Sequence, residues 1–295
     1  MKIKNDTRYQ VIGNCNGLLL RKVCSKLSTT LFLWNPSIRK SIMLNDHSIS
    51  GYDCFIFGYV VSSNDYKVFA FEFNCGEKSM YIAVYSLNDH LWSEKIVMMN
   101  FPAMFTRCMI FQSCYYCYFD GAAHWIVSDR EGGELDYAAN FTHVLSFNFG
   151  AEKFSYVMLP QVDDEIMLKF LFVLGKSLAI FGISSTNTCI WVMRTDSGDD
   201  EDDNPWSLWF SGESSWEVYN FFRHSYKVKI FYGENAGTFI VVPHARCFSE
   251  PMSYNIRTHQ LQRLRTCYDH CWSIEYVDTY VESLVLCRER QKPRL

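Results

Sequence analysis

The sequence predicts an all-β, β-propeller-like fold, and three observations predict it. Aromatic residues make up 17% of the chain, with 23 Phe, 18 Tyr and 8 Trp, an excess that suits pleated, half-buried surfaces better than helix bundles. Apolar residues fall in short runs bounded by Gly, Asn, Asp, Ser or Pro, with almost no sustained helical period. A loose pattern recurs several times along the chain. At 295 residues and 48% apolar content the chain can bury a large core as one unit, so residues 1–295 are expected to form a single domain.

In order, the clearest predicted strands are Gly17-Leu-Leu-Leu-Arg21, Thr30-Leu-Phe-Leu-Trp34, Tyr66 to Phe73, Met80 to Tyr85, Ala122 to Val127 and Val144 to Asn148. The second half adds Ser177 to Phe181, Cys189 to Met193, Thr238 to Val242 and Glu275 to Val277. Turn signals such as Asn35-Pro36, Ser63-Asn-Asp65, Asn88-Asp89 and Asp120-Gly121 separate them. The recurring unit is an aliphatic strand ending in an aromatic residue or Ser, then a turn, then an aromatic residue or Leu. Five copies align: Leu33 to Ile38, Val84 to Trp92, Leu145 to Phe154, Ile190 to Met193 with Trp216, and Met252 to Leu261. Their spacing of roughly 45 to 60 residues is near the blade period of kelch-type propellers. Four-stranded blades cannot bury both faces alone and must stack around an axis. Five copies plus the C-terminal segment predict about six kelch-like, four-stranded blades.

Two segments depart from strand-like sequence. Residues 195–205 hold Asp199, Asp200, Glu201, Asp202 and Asp203 beside Asp196, mutually repelling carboxylates with no apolar anchor, and are expected to form an extended acidic loop. Residues 288–295 are expected to form a flexible basic tail.

Charge and cysteine usage exclude several function classes. The net charge of -4, from 28 basic and 32 acidic residues, lacks the segregated basic footprint of a nucleic-acid binder. The longest apolar stretch, Phe170 to Ile183, is interrupted by Lys176 and too short to span a bilayer. Met1-Lys-Ile-Lys-Asn-Asp6 has no apolar leader core, so the chain is expected to be intracellular, in cytoplasm or nucleus, with its 12 cysteines reduced. Neither nucleic acid nor membrane is an expected partner.

At this point the ordered succession of motifs is recognisable. Gly13-Asn-Cys-Asn-Gly17-Leu-Leu19, Leu33-Trp34-Asn35-Pro36, Phe57-Gly-Tyr59 with Tyr66-Lys67-Val68, and Ala83-Val-Tyr-Ser86 with Trp92 come first. Asp120-Gly121-Ala-Ala-His124-Trp125-Ile126, Leu145-Ser-Phe-Asn148, Leu174 to Leu178, Ile190-Trp191-Val-Met193 and Tyr280-Val-Glu282-Ser283-Leu284 follow. Together they resemble the plant F-box-associated domain over nearly the whole chain. The resemblance implies a propeller that recognises substrates for an SCF-type cullin ubiquitin ligase, normally behind an F-box that docks on a Skp-type adaptor. Its motif residues would be scaffold, and Tyr280 to Leu284 its closing strand. The first motif begins at Gly13, leaving no room in this sequence for an F-box, so the adaptor is expected to be reached indirectly or not at all. A truncated remnant or a decoy uncoupled from the ligase is the alternative.

Residue by residue, the chemistry points the same way. Trp34, Trp92, Trp125, Trp191 and Trp216 are expected to fill the space between blades, and Asn35-Pro36 to end a strand. Cys114 and Cys117 lie three apart in a strand-like run and face opposite sides of a sheet, so with Cys108 and His124 they do not make a tetrahedral zinc site unless the run turns tightly. Cys267, His270 and Cys271 form a second loose group. His124 is expected to be a satisfied strand residue. The acidic run lacks the ligand spacing of a calcium loop, and Gly175-Lys-Ser177 has Phe170 where a phosphate-binding loop needs Gly. No cofactor and no catalytic signature is expected, although a propeller enzyme built from residues converging on the channel stays open. Recognition of an unknown target protein is expected from loops held by the scaffold, with Asp199 to Asp203 as one candidate surface.

Overall fold

The computed structural model describes residues 8–24, 29–44, 52, 54–74, 79–98, 116–127, 141–160, 168–194, 204–223, 228–233, 237–243, 251–264 and 276–286. Among the described residues twenty strands form five four-stranded sheets, each an antiparallel meander in chain order. Blade 1 holds β1 (Arg8–Cys15), β2 (Leu18–Cys24), β3 (Thr29–Asn35) and β4 (Lys40–Met43). Blade 2 holds β5 (Cys54–Val60), β6 (Asp65–Asn74), β7 (Ser79–Ser86) and β8 (Leu91–Met98). Blade 3 holds β9 (Cys117–Phe119), β10 (Ala122–Val127), β11 (His143–Asn148) and β12 (Lys153–Met158). Blade 4 holds β13 (Leu168–Leu174), β14 (Ser177–Ile183), β15 (Asn187–Met193) and β16 (Trp206–Glu213). Blade 5 holds β17 (Val228–Gly233), β18 (Thr238–Pro243), β19 (Met252–Asn255) and β20 (Gln260–Arg263).

The expected six blades are therefore five among the described residues. Four of the five aligned sequence repeats fall on the third strand and the following turn of one blade; the remaining one, in blade 4, begins on the third strand, but its Trp216 lies beyond β16. The sixth expected blade rests on the C-terminal segment. Residues 276–286 form no strand, so the strand expected at Glu275 to Val277 is absent from its described part.

A local device explains why the repeats were legible. Asn35, Asn148 and Asn255 end third strands, and each side-chain oxygen accepts turn N–H groups: from Ser37 at 2.9 Å, from Ala151 at 2.8 Å, and from Arg257 and Thr258 at 2.9 and 3.1 Å. Such Asx turns close the backbone locally. The residue four places after each, and His90 in the matching turn of blade 2, has positive φ: Arg39 at 54°, His90 at 56°, Glu152 at 52° and His259 at 54°. In blade 4 the acidic insertion replaces this turn, and its neck is closed by the Arg194 N–H donating to the Pro205 carbonyl at 2.8 Å.

Because each blade is a four-stranded meander, the strand ends that flank its first and third turns lie on one rim, here the turn rim. The strand ends that lead into the second turns and into the links between blades lie on the other, the linker rim. First strands pack beside one another around the centre, as β1 with β5, β9 with β13 and β13 with β17. Apolar clusters join blade 1 to 2, 2 to 3, 3 to 4 and 4 to 5. The second of these has an aromatic centre: Phe147 packs against Phe69, Phe71 and Phe154 at centroid distances of 5.0, 5.2 and 4.7 Å. Edge-to-face contacts of this kind add to the burial itself.

A short helix, α1 (Trp216–Arg223), lies in the link between blades 4 and 5. Ser215 caps it, its hydroxyl accepting from the Val218 N–H at 3.3 Å. Val218, Tyr219 and Phe222 turn inward, with Phe222 against Phe181 at 5.1 Å. Trp216, expected between blades, is instead on this helix and 60% exposed.

Candidate functional site

The inner strands surround a central cavity of about 650 Å³. An inner strand has one edge without a ladder partner, and its N–H and C=O groups need other partners. On β5 two tyrosines from blade 3 supply them. Tyr116 accepts from the Phe57 N–H and donates to the Phe57 carbonyl, both at 2.9 Å. Tyr118 does the same for Tyr59, at 3.3 and 3.0 Å. The rings can approach because Gly58 has no side chain: a Cβ there would lie 1.8 Å from Phe149 Cε2 and 2.6 Å from Tyr118 Cε2. Gly58→Ala should therefore cost about 2 kcal/mol through overpacking. Urea melts check this, and an unchanged midpoint would show that the rings can yield.

Between blades 5 and 1 the ring is bridged by residues 276–286, held by side chains in place of a ladder. Asn35 is fully buried. While its oxygen accepts in the turn, its Nδ2 donates to the carbonyls of Ser283 at 2.9 Å and Val285 at 2.8 Å. Asn14 Nδ2 donates to the Thr279 carbonyl, and the Ser37 and Tyr280 hydroxyls meet at 2.7 Å. Gly17, at φ 78°, sits beneath the segment, where a Cβ would lie 2.3 Å from the Val281 oxygen. On the blade 5 side, Lys229 pairs with Asp278 at 2.6 Å, and Tyr276 donates to the same carboxylate at 2.6 Å.

The titratable groups of the cavity wall are mostly satisfied. His124 Nδ1 lies 2.7 Å from the Ser146 hydroxyl and Nε2 3.2 Å from the Phe119 carbonyl. Burial lowers its pKa against the opposing pull of that carbonyl, so the ring is neutral, donating from Nε2 and accepting at Nδ1. Burial pushes the Cys15 thiol up to about 11 and the Cys117 thiol up to about 12. Protonated thiols are poor nucleophiles and poor metal ligands. Among the described residues no three His, Cys, Asp or Glu side chains gather around a metal position. Cys108, Cys114, Cys267, His270 and Cys271 lie outside the described residues.

Residues 2–287 match the family model described as "F-box associated beta propeller domain". The chain belongs to that family. An F-box/kelch-repeat protein of Arabidopsis thaliana is 34% identical over 89 residues, covering 28% of this chain and 24% of that protein. Another from the same plant is 29% identical over 192 residues, covering 61% of this chain and 46% of that protein. The chain thus aligns with less than half the length of these relatives. Among solved structures, the Pyrococcus horikoshii acylaminoacyl peptidase is similar at a TM-score of 0.41 and 10% identity, covering 86% of this chain and 45% of that one. Among the described residues no helix is long and apolar enough to cross a membrane.

The motif residues of this F-box associated domain are spread over the ring and make no single constellation. Gly13 lies against the Tyr116 hydroxyl, 2.2 Å from where its Cβ would be. Trp34 is half-buried under the Arg21 guanidinium at 5.1 Å, with Pro36 in the next turn. Tyr66 packs on Phe57 and Tyr59 at 6.0 and 4.9 Å, and Trp92 on Tyr85 at 5.4 Å. Trp125 and Trp191 are buried in two different inter-blade clusters. Gly121 takes φ 67° in the β9–β10 turn. Lys67 and Lys95 of blade 2 both pair with Glu152 of blade 3. Burial alone would raise the Glu152 pKa, but the two ammonium groups prevail and lower it. Glu282 is exposed on the closing segment beside Ser283.

Asp199, Asp200, Glu201, Asp202 and Asp203 lie outside the described residues. Sequence reasoning missed the Tyr116 and Tyr118 clamps, although their spacing of two places both rings on one side of the chain. It also missed the Lys229–Asp278 pair, for which 49 residues of separation leave no local signal.

Proposed function

We propose that this F-box associated propeller is a non-catalytic protein-capture module, the substrate-recognition part of an F-box protein in an SCF-type cullin ubiquitin ligase. Membership of the F-box associated family across residues 2–287 carries this reading, and the relatives named F-box/kelch-repeat proteins support it. In it, residues 1–295 act as one domain, the F-box of the whole protein contacts the Skp-type adaptor, and the propeller contacts the target in cytoplasm or nucleus.

The turn rim is the proposed contact face. Large apolar side chains stand exposed on it: Val61 at 79% and Leu91 at 69% on blade 2, with Val281 and Leu284 of the closing segment at 67% and 75%. Exposed apolar groups on a rigid scaffold favour partner binding. The ends of the acidic insertion, Arg194 and Pro205, meet at the same rim.

Affinity purification of the tagged chain from plant tissue, in parallel with Val61→Asp/Leu284→Asp and with Asp199→Lys/Asp202→Lys, tests the reading. Wild type should retain a specific protein that the first variant loses by about tenfold or more, with no change in melting temperature. The second variant should weaken capture by a smaller factor. Equal recovery from all three would remove this rim from the interface. Co-purified adaptor and cullin would establish ligase coupling, whereas a specific partner without them would favour a decoy.

A further inference from the structure

The cavity volume of about 650 Å³ lies inside the span of pre-formed small-molecule sites, roughly 300–1,000 Å³. Its wall is largely apolar, with Ile12 of β1, Phe170 and Phe172 of β13 and Tyr232 of β17 among its surfaces. Three polar groups belong to residues of that wall and have no partner among the described residues. The Asn14 Oδ1 acceptor and the Trp125 indole N–H donor are both buried without a hydrogen-bond partner. Lys169, on β13, is half-buried and has no hydrogen bond or ion pair among the described residues. Burial is the one influence acting on its ammonium, and it lowers the pKa.

Native interiors rarely leave buried donors, acceptors and cations unmatched, because each forfeits its hydration without a substitute. The two lysines of the inner strands differ in this respect. Lys229 is already neutralised by Asp278 at 2.6 Å, and its ammonium also lies over the Tyr276 ring at 4.9 Å. Lys169 has no such neighbour among the described residues. A largely apolar chamber whose wall carries the Lys169 ammonium, with the exposed Arg223 also in its lining, matches an amphipathic anionic ligand.

We propose that the central cavity binds a small organic acid, with its apolar body in the channel and its carboxylate against Lys169. This site is separate from the turn rim, and its occupancy does not depend on the protein-capture reading.

Isothermal titration of the purified full-length chain with 4-phenylbutyrate and 2-naphthoate, each beside its primary amide, tests the proposal. The acids should bind about tenfold or more tightly than the amides, the difference expected for a charge-assisted hydrogen bond in a partly dry site. Lys169→Met should erase that difference and Lys169→Arg should keep it. Lys169→Met should also melt no lower than wild type, since it removes a half-buried cation that has no ion pair among the described residues. Absence of binding by either acid, equal affinity for acids and amides, or undiminished acid binding by Lys169→Met would overturn the proposal. The acid–amide comparison on the wild-type chain decides the matter even if the Met variant fails to fold. Retained partner capture in a chain that binds no acid would refute this site and leave the turn-rim interface standing.

Discussion

Replacing Trp125 by Ala should lower the unfolding free energy by about 3–5 kcal/mol, the range for deleting a large buried aromatic side chain. Trp125 is 2% exposed and sits at the junction of blades 2 and 3, with Tyr116 at a centroid distance of 6.2 Å. Tyr116 in turn caps the inner edge of β5. Loss of the indole would therefore open a void and loosen the clamp that ties the two blades. The control is Trp216→Ala on α1, where the ring is 60% exposed and the expected cost is under about 1 kcal/mol. Chemical denaturation of both variants checks the pair. A Trp125→Ala cost below about 1 kcal/mol would show that the ring is not a core element.

The second large effect is expected at Asn35. Asn35→Ala removes two donors from the carbonyls of Ser283 and Val285 and an acceptor from the turn at Ser37 and Ile38. Stranding several such groups should cost about 3 kcal/mol. The loss should be felt where the ring closes, so residues 276–286 should become more accessible to protease and to amide exchange while blades 2 to 4 keep their protection. Ser37→Ala removes one exposed hydroxyl contact to Tyr280 and should cost under about 1 kcal/mol. If Asn35→Ala left exchange in the closing segment unchanged, closure would have to rest on the Lys229–Asp278 pair and the Asn14 contact.

Much of the strand content was legible in the sequence, and the nine strands identified correctly have a common reason. They are β2, β3, β6, β7, β10, β11, β14, β15 and β18, the middle strands of their blades. A middle strand is covered on both faces by neighbouring blades, so it reads as a continuous apolar run. Val68 to Phe71 and Leu178 to Ile183 are buried without interruption. Outer strands such as β12, with burial alternating between exposed and intermediate, carry a weaker signal, and β9 has only three residues. The helix α1 was missed because its inward face is set by Val218, Tyr219 and Phe222, too few residues to establish a period.

The sequence by itself determined the all-β class, the middle strands, the Asx turns and the family, because each rests on local chemistry that a short stretch of chain carries within itself. Tertiary structure alone decided the number of blades, since residues 276–286 close the ring through the Asn14 and Asn35 side chains and contribute no strand. It alone also brought Tyr116 to β5 and Asp278 to Lys229, and left Lys169 at the wall of the cavity without a counter-charge among the described residues. Those relations join residues far apart in the chain, and their energy comes from burial around a common axis, which no local pattern encodes.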